Sequence, residues 1–408
     1  MIRAAACLHW NLRGMIARFL SQTSLSRGVA RQPMTPTSHD VFLTQLRESQ
    51  VLSPQQLAET VGALRQQFPN PRALAQELLR RNWLTPYQVN QLLAGKGKSL
   101  LLGPYRLLQR LGEGGSGQVF KAEHSVMKRT VALKVLRAEM VADGEMRKRF
   151  EREIQVISRL THPHVVQAFD TGTISNTYYL AMEYIQGQDL NQLVKQSGRL
   201  PVDQACDYIR QAALALQHIH EQGLVHRDIK PSNLILCQPA TTAVMPALDR
   251  DRTVPLGPPA TGQAALVKLL DLALARLHSV NASERTRSLT ANDSATLGTL
   301  DYLAPEQAIN FHAVDGRADI YSLGCTFYFL LTGHTPFTEG TVAQILMKHQ
   351  TMDPRPVHLE RPEVPGTVSA LIPEDDGQAS GGSLAVRWRG GCCLACSRRH
   401  CSGGFHLE

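Results

Sequence analysis

The feature that most constrains this fold is a change of hydrophobic period near residue 105. Before it, apolar residues recur at helical spacing: Leu57, Val61 and Leu64, then Leu74 and Leu78, then Val89 and Leu92. Ser53-Pro54, Asn70-Pro71 and Thr85-Pro86 each pair an N-capping side chain with a proline suited to the first helical position, and Gly95 offers a stop. Residues 38–95 are therefore expected to form a small helical module. From Tyr105 the pattern becomes strand-like over 105–111, 117–123, 130–136, 165–172 and 178–184, with a helix expected over 145–160. Past a hinge near Glu183 helical patterns dominate. The class is α+β: a small antiparallel β lobe with one helix, then a larger α-rich lobe.

Composition narrows the function classes. The net charge of +8 would suit a nucleic-acid binder, but Lys and Arg are scattered and no basic run is interleaved with aromatics, so no nucleic-acid partner is expected. The longest apolar stretch, 320–331, is interrupted by Ser322 and Gly324 and falls short of the roughly 20 residues a bilayer span requires. It reads as a buried helix, and no membrane association is expected of this chain. Cys7, Cys206, Cys237 and Cys325 stand isolated, which fits a reducing cytoplasm.

Chemistry concentrates in a few short stretches. Gly112-Glu113-Gly114-Gly115-Ser116-Gly117-Gln118-Val119 sits between two expected strands, where glycines let backbone amides approach phosphate oxygens. Alone it is more often a structural turn. Lys134, in Val131-Ala132-Leu133-Lys134, follows one strand later, with Glu153 on the next helix as the carboxylate that could hold it. Farther on come His226-Arg227-Asp228-Ile229-Lys230-Pro231-Ser232-Asn233, then Asp271-Leu272-Ala273, then Gly298-Thr299 with Ala304-Pro305-Glu306, then Ala318-Asp319-Ile320-Tyr321-Ser322-Leu323-Gly324.

Taken together, these stretches resemble the bacterial, eukaryotic-like (Hanks-type) serine/threonine protein kinases, over residues 105–372. The resemblance implies a bilobal kinase fold preceded by the helical module, the cofactors ATP and Mg²⁺, and protein substrates. It implies that Asp228 orients the attacking hydroxyl and takes its proton, Lys230 neutralises the transferring phosphate, and Asn233 and Asp271 ligate the metal. Lys134, Glu153 and Thr299 complete the implied catalytic set. Leu111, Gly112, Gly114, Gly117, Val119, Ala132, Lys134, Glu183, Ile185, Asp189 and Ile235 are implied around the nucleotide. Asp319 is implied to anchor the catalytic loop. Asp271-Leu272-Ala273 departs from the family's Asp-Phe-Gly at two positions: the metal-binding carboxylate is kept, but Ala273 removes a glycine's freedom to flip the loop. Arg227 is implied to read a phosphate on the activation loop, with Ser288, Thr290, Ser294 and Thr296 as candidate acceptors.

The remaining segments fit no catalytic element. Residues 1–37 lack acidic side chains and resemble either a transit peptide or, the preferred reading, an extension upstream of a true start near Met34. Residues 96–104 read as a linker, and 237–266 as a flexible insertion rich in Pro, Ala and Thr. The helical module carries no chemistry, and is expected to be either a docking site for a partner protein or a structural cap. In 373–408 the kinase pattern stops, and Cys393, Cys396, His400 and Cys401 suggest zinc. The preferred reading is a frameshift, because synonymous codons read one base later yield an amphipathic helix and an arginine that the resemblance pairs with Glu306. On that reading the chain as written lacks part of its larger lobe, and an ATP-binding scaffold without catalysis is the alternative function.

Overall fold

The computed structural model describes residues 38–114, 117–136, 154, 157–175, 177–237, 265–271, 300–309 and 314–372. The chain divides into two compact units, residues 1–99 and 100–408, with the division inside the stretch read as a linker.

In the first unit, α1 (His39–Ser49), α2 (Pro54–Glu59), α3 (Pro71–Arg80) and α4 (Pro86–Leu93) follow in order. The three expected caps are formed: Ser53 and Thr85 make reciprocal capping boxes with Gln56 and Gln88, and the Asn70 side chain accepts from the Arg72 amide at 2.8 Å. Gly95 takes φ 72°, the left-handed conformation that ends α4. Helix α2 continues through a π-helical turn, Thr60–Leu64, into Arg65–Gln67. That turn rotates the apolar stripe, so Thr60 and Leu64 are buried while Leu57 and Val61 are only half-buried. Helix α1 was not among the expected starts. Its Ser38 cap lacks the following proline, yet it supplies Phe42, Leu43 and Leu46 to the core.

The second unit opens with a six-stranded antiparallel sheet in the order β1-β2-β3-β4-β6-β5. Its strands are β1 (Leu101–Leu102), β2 (Tyr105–Gly114), β3 (Gly117–His124), β4 (Thr130–Leu136), β5 (Ala168–Ile174) and β6 (Thr177–Glu183). The short β1 lies within the expected linker. Strand β5 starts later than the expected 165, because Val165 leaves the sheet and bridges in parallel to Leu269 in the other lobe. Of the helix expected over 145–160, Ile154 is described as helical and buried, as is Ile157.

Beyond Glu183, β7 (Gly187–Asp189), β8 (Leu234–Cys237) and β9 (Leu266–Leu269) form a three-stranded antiparallel sheet. Around it stand α5 (Leu190–Ser197), α6 (Val202–Glu221), α7 (Pro305–Ile309), α8 (Gly316–Thr332), α9 (Val342–Thr351), α10 (Val357–Glu360) and α11 (Gly366–Ser369). Helix α8 is apolar on nearly every side and is buried from Ser322 to Leu331, as its sequence requires. One apolar core runs from Ala132, Leu180 and Met182 through Leu234 and Leu269 to Phe327 and Leu330, joining sheet and helices. Among the described residues no helix is long and apolar enough to cross a membrane.

Candidate active site

The glycine-rich hairpin is built from β2 and β3, which pair Gly112 with Val119 and Gly114 with Gly117; its tip, 115–116, lies outside the described residues. Its glycines do different work. At Gly117, φ is 149° and an added Cβ would lie 2.0 Å from the Val135 carbonyl oxygen, so this glycine lets β3 pack against β4. At Gly112 and Gly114 an added Cβ would meet nothing within 4 Å, so both face open space.

Lys134 projects from β4, directly across from Val119, and is 3% exposed. Its ammonium lies 2.9 Å from Asp271 Oδ1. Burial alone would push the Asp271 carboxyl up, but the charge and hydrogen bond of Lys134 outweigh it and hold the carboxyl below its usual range. The two line an open cleft with Ile157, Val166, Ala168, Leu180, Met182 and Leu269. Its lining combines apolar side chains with one charged pair, the composition of a small-molecule site.

A second cluster is formed by the segment from His226 to Asn233. Lys230 Nζ donates to Asp228 Oδ1 at 2.9 Å; Asn233 Nδ2 donates to Asp228 Oδ2 at 3.0 Å and to the Asp228 carbonyl at 2.7 Å. These bonds orient the Asn233 amide so that its oxygen is the end turned away from Asp228. Fully buried Asp319, near the start of α8, accepts the His226 amide at 2.7 Å and the Arg227 amide at 2.6 Å. It fixes a turn in which Arg227 takes φ 64°, a conformation that costs a non-glycine residue on the order of 1–3 kcal/mol. The expected anchoring by Asp319 is thus a direct hydrogen bond to the loop's backbone. Asp271 also has positive φ, 66°, which turns its carboxylate out of line with β9.

Residues 105–371 match the description "Protein kinase domain". The chain belongs to the protein kinase family. It is 34% identical over 277 residues to the serine/threonine-protein kinase PknA of Mycobacterium tuberculosis strain H37Rv, covering 67% of this chain and 56% of that protein. It is 34% identical over 256 residues to PknB of Mycobacterium leprae, covering 62% of this chain and 36% of that one. The chain therefore spans between about a third and just over half the length of these relatives. The crystal structure of the Mycobacterium tuberculosis PknI kinase domain is similar with a TM-score of 0.47 and 26% identity, covering 67% of this chain and 88% of that one.

The structure also describes several further positions that the sequence resemblance implies around the nucleotide. Leu111 is exposed at the hairpin, Val119 is half-buried, and Ala132 is buried in β4. Ile185 packs against the core just after the hinge, and half-buried Ile235 lies in β8 opposite Asp189. Asp189 also caps α5, accepting the Gln192 amide at 2.9 Å, and burial raises its carboxyl pKa. Glu183 directs its carboxylate to Lys268 of β9. Glu153, Thr299, Leu272, Ala273 and the candidate acceptors at 288–296 lie outside the described residues, as do residues 1–37, 238–264 and 373–408.

Sequence reasoning missed three supports. Gln307 donates to the Arg227 carbonyl at 3.0 Å and accepts the Ala304 amide at 3.0 Å, tying the catalytic loop to the Ala-Pro-Glu segment. His220, at the end of α6, lies 2.8 Å from Asp319 Oδ2. Lys268 grips the hinge. For the glutamine, its place directly after Ala304-Pro305-Glu306 was the available signal; the other two carry none.

Proposed function

We propose that this chain is a serine/threonine protein kinase that transfers the γ-phosphoryl of Mg-ATP to Ser or Thr hydroxyls of protein substrates. The observation that carries this reading is the convergence of Asp228, Lys230 and Asn233 in one hydrogen-bonded set, with Lys134 and Asp271 paired across the same domain. Family membership supports it.

The donor set fits Mg²⁺, since the Asp271 carboxylate and the Asn233 amide oxygen are hard ligands of the kind that ion takes. When bound, the ion would neutralise negative charge on the phosphates. Lys134, released from Asp271, reaches the α- and β-phosphates. The space above Gly112 and Gly114 receives the phosphate chain without a Cβ in the way. Asp228, its carboxylate oriented by Lys230 and Asn233, aligns the substrate hydroxyl and accepts its proton. Lys230 then stabilises the transferring group, and Thr299 supports the substrate side. Phosphorylation at Ser288, Thr290, Ser294 or Thr296 would give Arg227 an anionic partner and order the loop.

Asp228→Asn removes the proton acceptor while leaving an isosteric side chain. Transfer to a generic protein substrate should fall by about 10²–10⁴-fold, with the Mg-ATP thermal shift retained. Undiminished transfer would contradict the assignment. A wild-type chain that shifts with Mg-ATP yet transfers nothing would instead favour the scaffold reading.

A further inference from the structure

Lys268 of β9 and Asp271, two residues past the end of that strand, lie three residues apart, and each engages an opposite charge on the six-stranded sheet. Asp271 holds Lys134 of β4; Lys268 holds Glu183, the last residue of β6. In the sheet β4 and β6 pair Val131 with Glu183 and Lys134 with Leu180, which puts Glu183 and Lys134 three rungs apart. Both Glu183 oxygens take part, at 2.9 and 2.7 Å from Lys268 Nζ, and the side chains are 29% and 14% exposed. A doubly hydrogen-bonded pair withdrawn this far from water couples its partners more strongly than an exposed one.

Each end of the pair belongs to a part that matters for the nucleotide. Glu183 is the hinge residue, and its amide donates to the Gln167 carbonyl at 2.9 Å. Next to it, Tyr184 is held from β3 by Lys121, whose ammonium lies 4.5 Å from the ring centroid. At the other end, Lys268 faces away from Val267 and Leu269, which are buried in the core, so its side chain is free to span to the hinge. Just beyond it the strand is pinned again: the Leu270 amide donates to the Asn233 carbonyl at 2.9 Å, and the Leu270 carbonyl lies 2.7 Å from His226 Nε2.

We infer that the Glu183–Lys268 ion pair is an interlobe clamp that positions the adenine-facing hinge and the metal-binding Asp271 relative to each other, making Lys268 a positioning residue for Mg-ATP. The inference rests on the kinase reading. Lys134 must exchange Asp271 for phosphate when nucleotide enters, so the inner charge pair opens in the reaction cycle. Lys268 has no such duty, and its pair with Glu183 persists as the pivot about which the first one opens. Because the loop carrying Asp228 and Asn233 is also held by Asp319 and Gln307, which the clamp does not touch, losing the clamp disturbs nucleotide binding more than the chemical step.

The test is a double-mutant cycle in the full chain with Lys268→Met, Glu183→Gln and the two combined. It reads KM for ATP, kcat, KM for protein substrate and the melting temperature. Each single change should raise KM for ATP by about tenfold, with kcat and the protein-substrate KM within about twofold, and the double change should be no worse than either single one. Lys268→Arg, which keeps the positive charge and can donate to both Glu183 oxygens, should restore the wild-type value. Additive single effects, or a KM for ATP that stays put while only the melting temperature falls, would overturn the clamp. Should the wild-type chain transfer no phosphate, the kinase reading fails, and the same cycle read as Mg-ATP dissociation constants by calorimetry decides the clamp by itself.

Discussion

In the loop carrying Asp228 the backbone is tied down from three elements, whereas in the glycine-rich hairpin it is tied mainly to itself. The first has Asp319 beneath it, Gln307 beside it and the Leu270 carbonyl on its histidine. The second pairs β2 with β3 and leaves Gly112 and Gly114 over empty space, with Leu111 exposed. On the proposed kinase reading both regions meet the same triphosphate. On the proposed reading the difference follows from their tasks: proton acceptor and metal ligand must stand within fractions of an ångström before the substrate arrives, while the hairpin must let the nucleotide pass.

The sharpest way to break that contrast is at the anchor. Asp319→Asn keeps the size of the side chain but replaces one of the two oxygens that accept the His226 and Arg227 amides with a donor. A buried amide then faces an NH₂ group, and the cost should be on the order of 3–5 kcal/mol. Urea unfolding should show that loss of stability, and transfer should fall with it. If the variant kept wild-type stability and rate, the loop would not owe its rigidity to this carboxylate.

Next in size is Gly117→Ala. Its φ of 149° disfavours any Cβ, and the one added would lie 2.0 Å from the Val135 carbonyl. Strand β3 would have to move away from β4 next to Lys134, at about 1–3 kcal/mol. Thermal melting of the purified variant measures this. A melting temperature equal to wild type would mean that this end of the hairpin is as loose as the other.

How much of this was legible in the sequence divides along the same line. The loop 226–233, Lys134, Asp271 and Asp319 could be named from the sequence because, on the proposed kinase reading, phosphoryl transfer fixes both residue type and spacing along the chain. The caps at Ser53, Asn70 and Thr85 were readable because a capping side chain acts on an amide two or three residues away. What escaped acts over long separations or without a strict residue requirement. Lys268 meets Glu183 across 85 positions and His220 meets Asp319 across 99, and no local pattern announces either. Helix α1 escaped because Ser38 lacks the proline that flagged its neighbours. Leu57 and Val61 misled because a π-turn, which inserts a residue without any sequence signature, rotated the buried face to Thr60 and Leu64.

The smallest expected effect on the fold gives the contrast its most selective test. Gly112 is paired with Val119, and a methyl group added there would touch nothing within 4 Å. Gly112→Ala should therefore leave stability unchanged or raise it by up to about 1 kcal/mol, since alanine gives up less chain entropy on folding. The methyl group would stand in the space assigned to the phosphates, so KM for ATP should rise severalfold even though the fold is intact. Melting temperature and KM for ATP measured on the same preparation separate the two effects. A variant that melts early would mean that Gly112, like Gly117, serves packing. One that melts normally and binds ATP as tightly as wild type would mean that the phosphates do not pass over Gly112, and the open space above the hairpin would need another explanation.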